Sequence, residues 1–334
     1  MTESDWGAAG NYYSREFPQG VEAAESRSIA AAWQPLLEEY EPDLKRRVQT
    51  AVRVSGQSIR DQLRTETALR LSAGDQHVSV PVRVVDGIPP PLWVLRDLPP
   101  EVLRLVLARG LIAQSADGVR FVRQHLGAVH RFLATGAPAR EPRPDEREVA
   151  PVEDLLWELA RELEKVELFD EIWRKPIDWL GAYFFWKPAI EIYWIPIGLA
   201  AAICKVNVEA LTYVVLAHEL AHAYTHLGRD IDGNVWDMAH FARTDVYIVE
   251  GLAQHYTQVL CKKVQLRNPA ALEAFEAMLE RQKPGPYADW LEWNRGVRDP
   301  GENTRRCMLD VRKRGIREYS QFKEILRMPR QSGV

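Results

Sequence analysis

The sequence predicts an α+β protein, mostly α, divided into two domains. Three observations carry this. Apolar residues recur at three- and four-residue spacing through residues 20–73, 152–173, 207–227 and 245–264, the period of helices with a buried face. Strand-like runs are few and short: HVSVPVRVVDG (77–87) and AIEIYWIPI (189–197). Between the helical blocks lies ATGAPAREPRPDEREVAP, rich in Pro, Arg and Glu and without apolar periodicity, as linkers are. The expected division is a mostly helical α+β module over 1–135, a linker over 136–151 and a second domain over 152–334.

The elements follow in order. EAAESRSIAAAW, EPDLKRRVQTAVRV and SIRDQLRTETALRLS are helical pieces, with Pro35 and Pro42 as breaks. Residues 77–87 alternate and are β-branched, which predicts a strand. LPPEVLRLVLARG (98–110) has prolines in its first turn and Gly110 at its end, the marks of a helix. LIAQSADGVRFV reads as a hairpin turning at Asp117-Gly118, and a helix from Arg123 to Leu133 follows. Helix then hairpin is also the order of a winged DNA-binding fragment, so 98–133 leaves that reading open. VEDLLWELARELEKVELFDEIW is amphipathic and helical. Trp179 to Ile203 is the most apolar run, expected as buried or edge strand and helix. Asn207 is placed to cap a long helix, VEALTYVVLAHELAHAYTHL, and Gly228 to end it. The irregular RDIDGNVWDMAHFART leads to a second long helix, DVYIVEGLAQHYTQVLCKKV. Helical pieces separated by PGPY and DPGEN complete the chain.

Composition narrows the function. Lys plus Arg number 43 against 47 Asp plus Glu, a net charge of −4, which speaks against a nucleic-acid partner. The local exception, RRCMLDVRKRGIRE, reads as a solvated helix face. Lys187, Glu191 and two prolines interrupt the apolar run 179–203, so no membrane span is expected there. MTESDWGAAGNYY has no basic segment followed by an apolar one, so no secretory signal is expected. Three cysteines without a CxxC pair argue against a disulfide framework or a thiolate zinc site. The expected compartment is the cytoplasm.

The chemistry concentrates in HELAH (218–222). Residues four apart on a helix lie about 40° apart around the axis and about 6 Å along it. His218 and His222 therefore project from one face as two ligands for one metal ion. Glu219 is turned about 100° from His218, suited to a water on that metal and not to the same coordination plane. That is the physical content of the HExxH pattern: two imidazoles hold zinc, and the carboxylate takes a proton from its water. With 8 His and 29 Glu, chance would produce the bare pattern in about one such chain in sixty. Context strengthens it: the motif lies inside a long apolar helix, where unliganded titratable groups would carry a desolvation cost.

An open catalytic zinc site needs a third protein ligand. His226 sits another turn along, too far for the same ion. HExxHxxGxxH would need Gly at 225 and His at 228, where this chain has Thr225 and Gly228. Asp245 and Glu250 remain, and Glu250 lies on the second apolar helix, 28 positions after His222.

HELAH followed by EGLAQHY resembles the gluzincin metallopeptidases, the HExxH-plus-downstream-Glu group that includes thermolysin. The resemblance covers about residues 180–260. It implies a zincin-like catalytic domain, with active-site helices beside a small sheet, after the mostly helical N-terminal module. By position it implies that His218, His222 and Glu250 bind Zn²⁺ and that Glu219 is the general base. Where thermolysin-like members place an Asp four residues after the ligand Glu, this chain has Gln254, which can accept an imidazole N–H without adding charge. The resemblance also implies that the strand in 189–197 is a sheet edge along which a peptide lies.

Peptide hydrolysis further needs a donor to the developing oxyanion. His240, in the irregular stretch, is the first candidate; Tyr247, His255 and Tyr256 also carry donors. The expected activity is a zinc-dependent endopeptidase acting on a protein or peptide substrate, with a regulatory role on few targets as an analogy. The alternatives are a non-catalytic module in which zinc staples two helices, closed by His240 or His255, and a DNA-binding regulator with a zincin effector domain.

Overall fold

The computed structural model describes residues 21–73, 76–77, 79–89, 92, 115–116, 120, 146–164, 179–282 and 284–328. In chain order the helices are α1 (Val21–Tyr40), α2 (Leu44–Thr67), α3 (Glu146–Glu164), α4 (Trp194–Cys204), α5 (Val208–Leu227), the single-turn α6 (Met238–Phe241), α7 (Val246–Val264), α8 (Pro269–Arg281), α9 (Pro300–Arg314) and α10 (Tyr319–Arg327). The strands are β1 (Ser72–Ala73), β2 (Gln76–His77), β3 (Val82–Val85), β4 (Gly181–Phe184) and β5 (Ala189–Tyr193). The expected helices 98–110 and 123–133 lie outside the described residues; of the expected 111–122 hairpin Ser115, Ala116 and Arg120 are described, and they are helical, not strand.

Helix α5 is the centre of the first compact unit, which joins Met1–Arg96 to Ile172–Val334. It is buried along its whole length from Ala210 to His226, as befits a helix that is apolar all round. Helices α2, α7 and α8 and strand β4 pack on it. Asn207 caps it as expected, accepting the Ala210 N–H at 2.9 Å. The helix ends at Gly228, where the backbone turns extended (φ −60°, ψ 132°), and the position excludes a side chain: a Cβ there would meet the Tyr224 carbonyl oxygen at 2.4 Å and Leu69 Cβ at 2.7 Å.

The second unit is Asp97–Glu171. In it Glu153 of α3 is buried and holds Arg120 at 3.2 Å. The compact units thus follow a different border from the 136–151 stretch. Helix α2 turns Leu44, Val48, Ala51, Ile59 and Leu63 inward, and the face that covers them belongs to α5 and α4, far along the chain. Helix α3 also begins at Glu146 and runs through Pro151, across the end of the expected linker. Likewise α1 continues through Pro35. Burial of Trp33, Leu36 and Leu37 around it offsets the missing N–H, and the break falls only beyond Tyr40, beside Pro42.

The sheet corrects one expectation. The strand in AIEIYWIPI is not an edge. Strand β5 is the middle of a mixed three-stranded sheet of order β3-β5-β4. It pairs parallel with β3, Val82 opposite Ile190, and antiparallel with β4, Gly181 opposite Ile192. Ile190 and Ile192 are fully buried, which is how a central strand reads. Its continuation WIPI is the first turn of α4, where Pro196 is tolerated. The edge beside α5 is β4.

Among the described residues no helix is long and apolar enough to cross a membrane. Cys204, Cys261 and Cys307 are free thiols. Burial pushes them up to about 11, 12 and 11 respectively, so none is ionised for nucleophilic work near neutral pH.

Candidate metal centre

His218 and His222 leave the same face of α5, and Glu250 reaches them from α7. His218 Nε2 and His222 Nε2 are 3.0 Å apart. Glu250 Oε2 lies 3.1 Å from the first and 3.4 Å from the second. Among the described residues these three offer ligand atoms that all lie within 4.8 Å of one another. Two ligands held about 2.0–2.1 Å from a tetrahedral zinc sit about 3.3 Å apart. The three observed separations bracket that value, so the donor set fits one such ion. All three side chains are buried, Glu250 completely. Burial alone would raise the Glu250 carboxyl, but the two imidazoles hold it well below the usual carboxylate range, leaving an anionic ligand.

The surroundings fix this geometry. Asp245, the other candidate ligand, is the N-cap of α7, and its Oδ1 accepts the Tyr247 N–H at 2.9 Å. One residue after Glu250, a Cβ at Gly251 would meet the Trp293 ring at 2.3 Å. Gly here costs about 1 kcal/mol of helix propensity and lets an indole lie against α7. On β4, a Cβ at Gly181 would meet Glu219 Oε1 at 2.9 Å, so this glycine leaves room for the carboxylate. Two residues along the same face, the Tyr183 hydroxyl is 2.9 Å from His226 Nδ1. His226 therefore belongs to the strand contact and not to the ligand group.

Glu219 and His218 line a cavity of about 50 Å³ with Gly181, Gln254, Tyr287 and an apolar wall from α5 and α8. The Tyr287 ring is 6.0 Å from the His218 ring, and Trp290 Nε1 holds the Tyr287 carbonyl at 2.9 Å. The structure does not bring His240 to this group. It sits on single-turn α6 with its ring against Gly315 and its Nδ1 3.8 Å from Asp237 Oδ1. The end of α9 sets that position. Nor does His255 approach: it is buried between Tyr256 and Trp290. Tyr247 stacks on Tyr319. Gln254 lines the cavity, as the helix period places it near the Glu250 face.

No protein-family model, curated protein or solved structure matches this chain. Sequence reasoning passed over Gly181, Tyr183 and Tyr287. An isolated glycine opening a strand, as in WLGAYFF, does signal close approach. PGPY read only as a break, and nothing local marks its tyrosine.

Burial lowers His226 and His255 to about 4. Both are thus neutral in the fold and protonate near 6.5 when unfolded. The unfolded chain then binds more protons, so stability falls as pH drops from about 6.5 towards 4, by up to about 3 kcal/mol for each histidine. Urea unfolding of His255→Leu should show a shallower loss than wild type between pH 6.5 and 4.5; an identical slope would contradict the neutral assignment.

Proposed function

We propose that this chain is a zinc-dependent endopeptidase of gluzincin type. The observation that carries the reading is the convergence of His218, His222 and Glu250 ligand atoms, 3.0–3.4 Å apart, beside a second carboxylate, Glu219, on a cavity wall. When bound, zinc supplies a Lewis acid and brings the pKa of its water to about 7. Glu219 accepts the proton of the attacking water and passes it to the leaving amine. Tyr287 is the hydroxyl donor to the oxyanion, in place of His240. Strand β4, an edge among the described strands, offers its backbone to an extended substrate.

Two histidines and a carboxylate also hold iron in oxygenases. Glu219 favours hydrolysis: a fixed base next to the ligands has a task when the metal activates water. A closed structural zinc is disfavoured because the two histidines that would close the site lie elsewhere. The test is cleavage of a mixed peptide library by zinc-loaded protein, lost on chelation and restored by one equivalent of zinc. Tyr287→Phe should lower kcat by about 10²–10³-fold, the usual cost of one oxyanion donor, with little change in KM. Activity indifferent to chelation would remove the reading, and unchanged kcat in Tyr287→Phe would remove that role.

A further inference from the structure

The residue after Glu250 rests on a fixed object. Successive residues on a helix are turned by about 100°. While Glu250 faces α5, Gly251 therefore faces another neighbour, the single 3-10 turn Asp289–Glu292 and the tryptophan that ends it. A Cβ at Gly251 would stand 2.3 and 2.4 Å from two atoms of the Trp293 ring and 3.3 Å from Trp290 Cβ. The indole thus lies closer to the α7 backbone than any side chain at 251 would allow. Trp293 is itself held. It is 6% exposed. Its Nε1 donates to the Tyr319 hydroxyl at 2.9 Å, and its ring meets Phe322 edge-on, centroids 4.7 Å apart. Both partners belong to α10, and Tyr319 also stacks on Tyr247 in the first turn of α7.

We infer that Trp293 is a positioning residue for Glu250: its indole is the stop against which α7 seats, and the seat sets where the carboxylate stands relative to His218 and His222. Its consequence for a metal rests on the zinc reading; the seating of the carboxylate does not. Distances decide how much the stop matters. Carbon atoms in contact sit about 3.5–4.0 Å apart, so a methyl at 251 would drive α7 and the indole apart by about 1 Å. A rigid ring packed on α10 cannot yield that distance by rotating a flexible end, and close-packed interiors pass such a displacement on. Glu250 Oε2 lies 3.1 and 3.4 Å from the two Nε2 atoms, and a metal site tolerates about 0.2 Å in its ligand distances. A shift of α7 by 1 Å at the next residue is several times that tolerance. The same turn carries Trp290, whose Nε1 holds the Tyr287 carbonyl, so one short element seats both the ligand and the proposed hydroxyl donor.

The test compares wild type, Gly251→Ala, Trp293→Phe and the double variant. Trp293→Phe removes the two ring atoms nearest Gly251 and keeps a ring for Phe322; the added methyl of the double variant then refills the space. Zinc affinity is read by competition with a chelator. The His218 and His222 ring signals of the metal-free protein, identified from His→Asn variants, are read by NMR at one pH. Each single variant should lose at least about tenfold in zinc affinity, the low end of what disturbing a ligand's support costs, and should move both ring signals. The double variant should regain most of the affinity and bring the signals back towards wild type, a dependence that independent sites do not show. Zinc affinity unchanged in folded Gly251→Ala, or a double variant no better than the weaker single one, overturns the inference. So does a lower urea midpoint with unmoved ring signals, the mark of a merely structural contact. If Gly251→Ala does not fold, Trp293→Phe against the double variant carries the same comparison. Ring signals that move and return in a protein binding no zinc would support the seat and count against the zinc reading alone; zinc bound equally by all four proteins would overturn the seat alone.

Discussion

Glu219→Gln is expected to retain zinc and to lose about 10²–10⁴-fold in turnover, the range of a positioned general base. The amide matches the carboxylate in shape, and the space it occupies is already defined by Gly181 and Val215. The ligand atoms come from other residues, so metal content should not change. Gly181→Ala approaches the same group from the opposite side. Its methyl would stand 2.9 Å from Glu219 Oε1, a distance real Cβ atoms do not keep, so the base must shift while its chemistry stays intact. Misplacement of about 1 Å costs on the order of 10²-fold. Both variants should therefore bind zinc and turn over slowly, which steady-state kinetics on metal-quantified samples would measure. A fully active Glu219→Gln protein would end the account of proton transfer.

Glu250→Ala is expected to cost at least about 10²-fold in zinc affinity, beyond what loss of an outer-sphere partner costs. Glu250 contributes the one negative charge in the ligand group and is completely buried. Without it the two imidazoles on α5 remain, 3.0 Å apart, and Asp245, the other acidic residue at the start of α7, is engaged as its cap. Glu250→Gln keeps the shape and removes the charge, so its affinity should fall between wild type and Glu250→Ala. Competition against a chelator of known zinc affinity orders the three proteins.

What could be read in the sequence follows from locality. The helix period alone places His218 and His222 on one face, and Asn207 caps its helix through a contact three residues away. Glu250 was legible because EGLA resembles a known ligand segment, and its glycine has a steric partner in Trp293. What escaped depends on partners distant in the chain. Strand β5 is central only because β3, about a hundred residues earlier, pairs with it. Helix α2 packs with α5 and not with a separate N-terminal domain because α5 covers its buried face. His240 was placed over the cleft for its chemistry, and the packing of α6 against Gly315 put it elsewhere. Tyr287 owes its place to a Gly285-containing turn and the Trp290 hydrogen bond, neither of which a residue pattern announces.

The central claim is that His218, His222 and Glu250 together hold one zinc ion. Metal content per chain, measured by mass spectrometry on wild type, Asp245→Ala and Glu250→Ala after reconstitution with zinc, tests it most directly. The account predicts about one zinc in wild type and in Asp245→Ala, and none retained in Glu250→Ala. Zinc retained in Glu250→Ala, or a wild-type protein that takes up none, would contradict it.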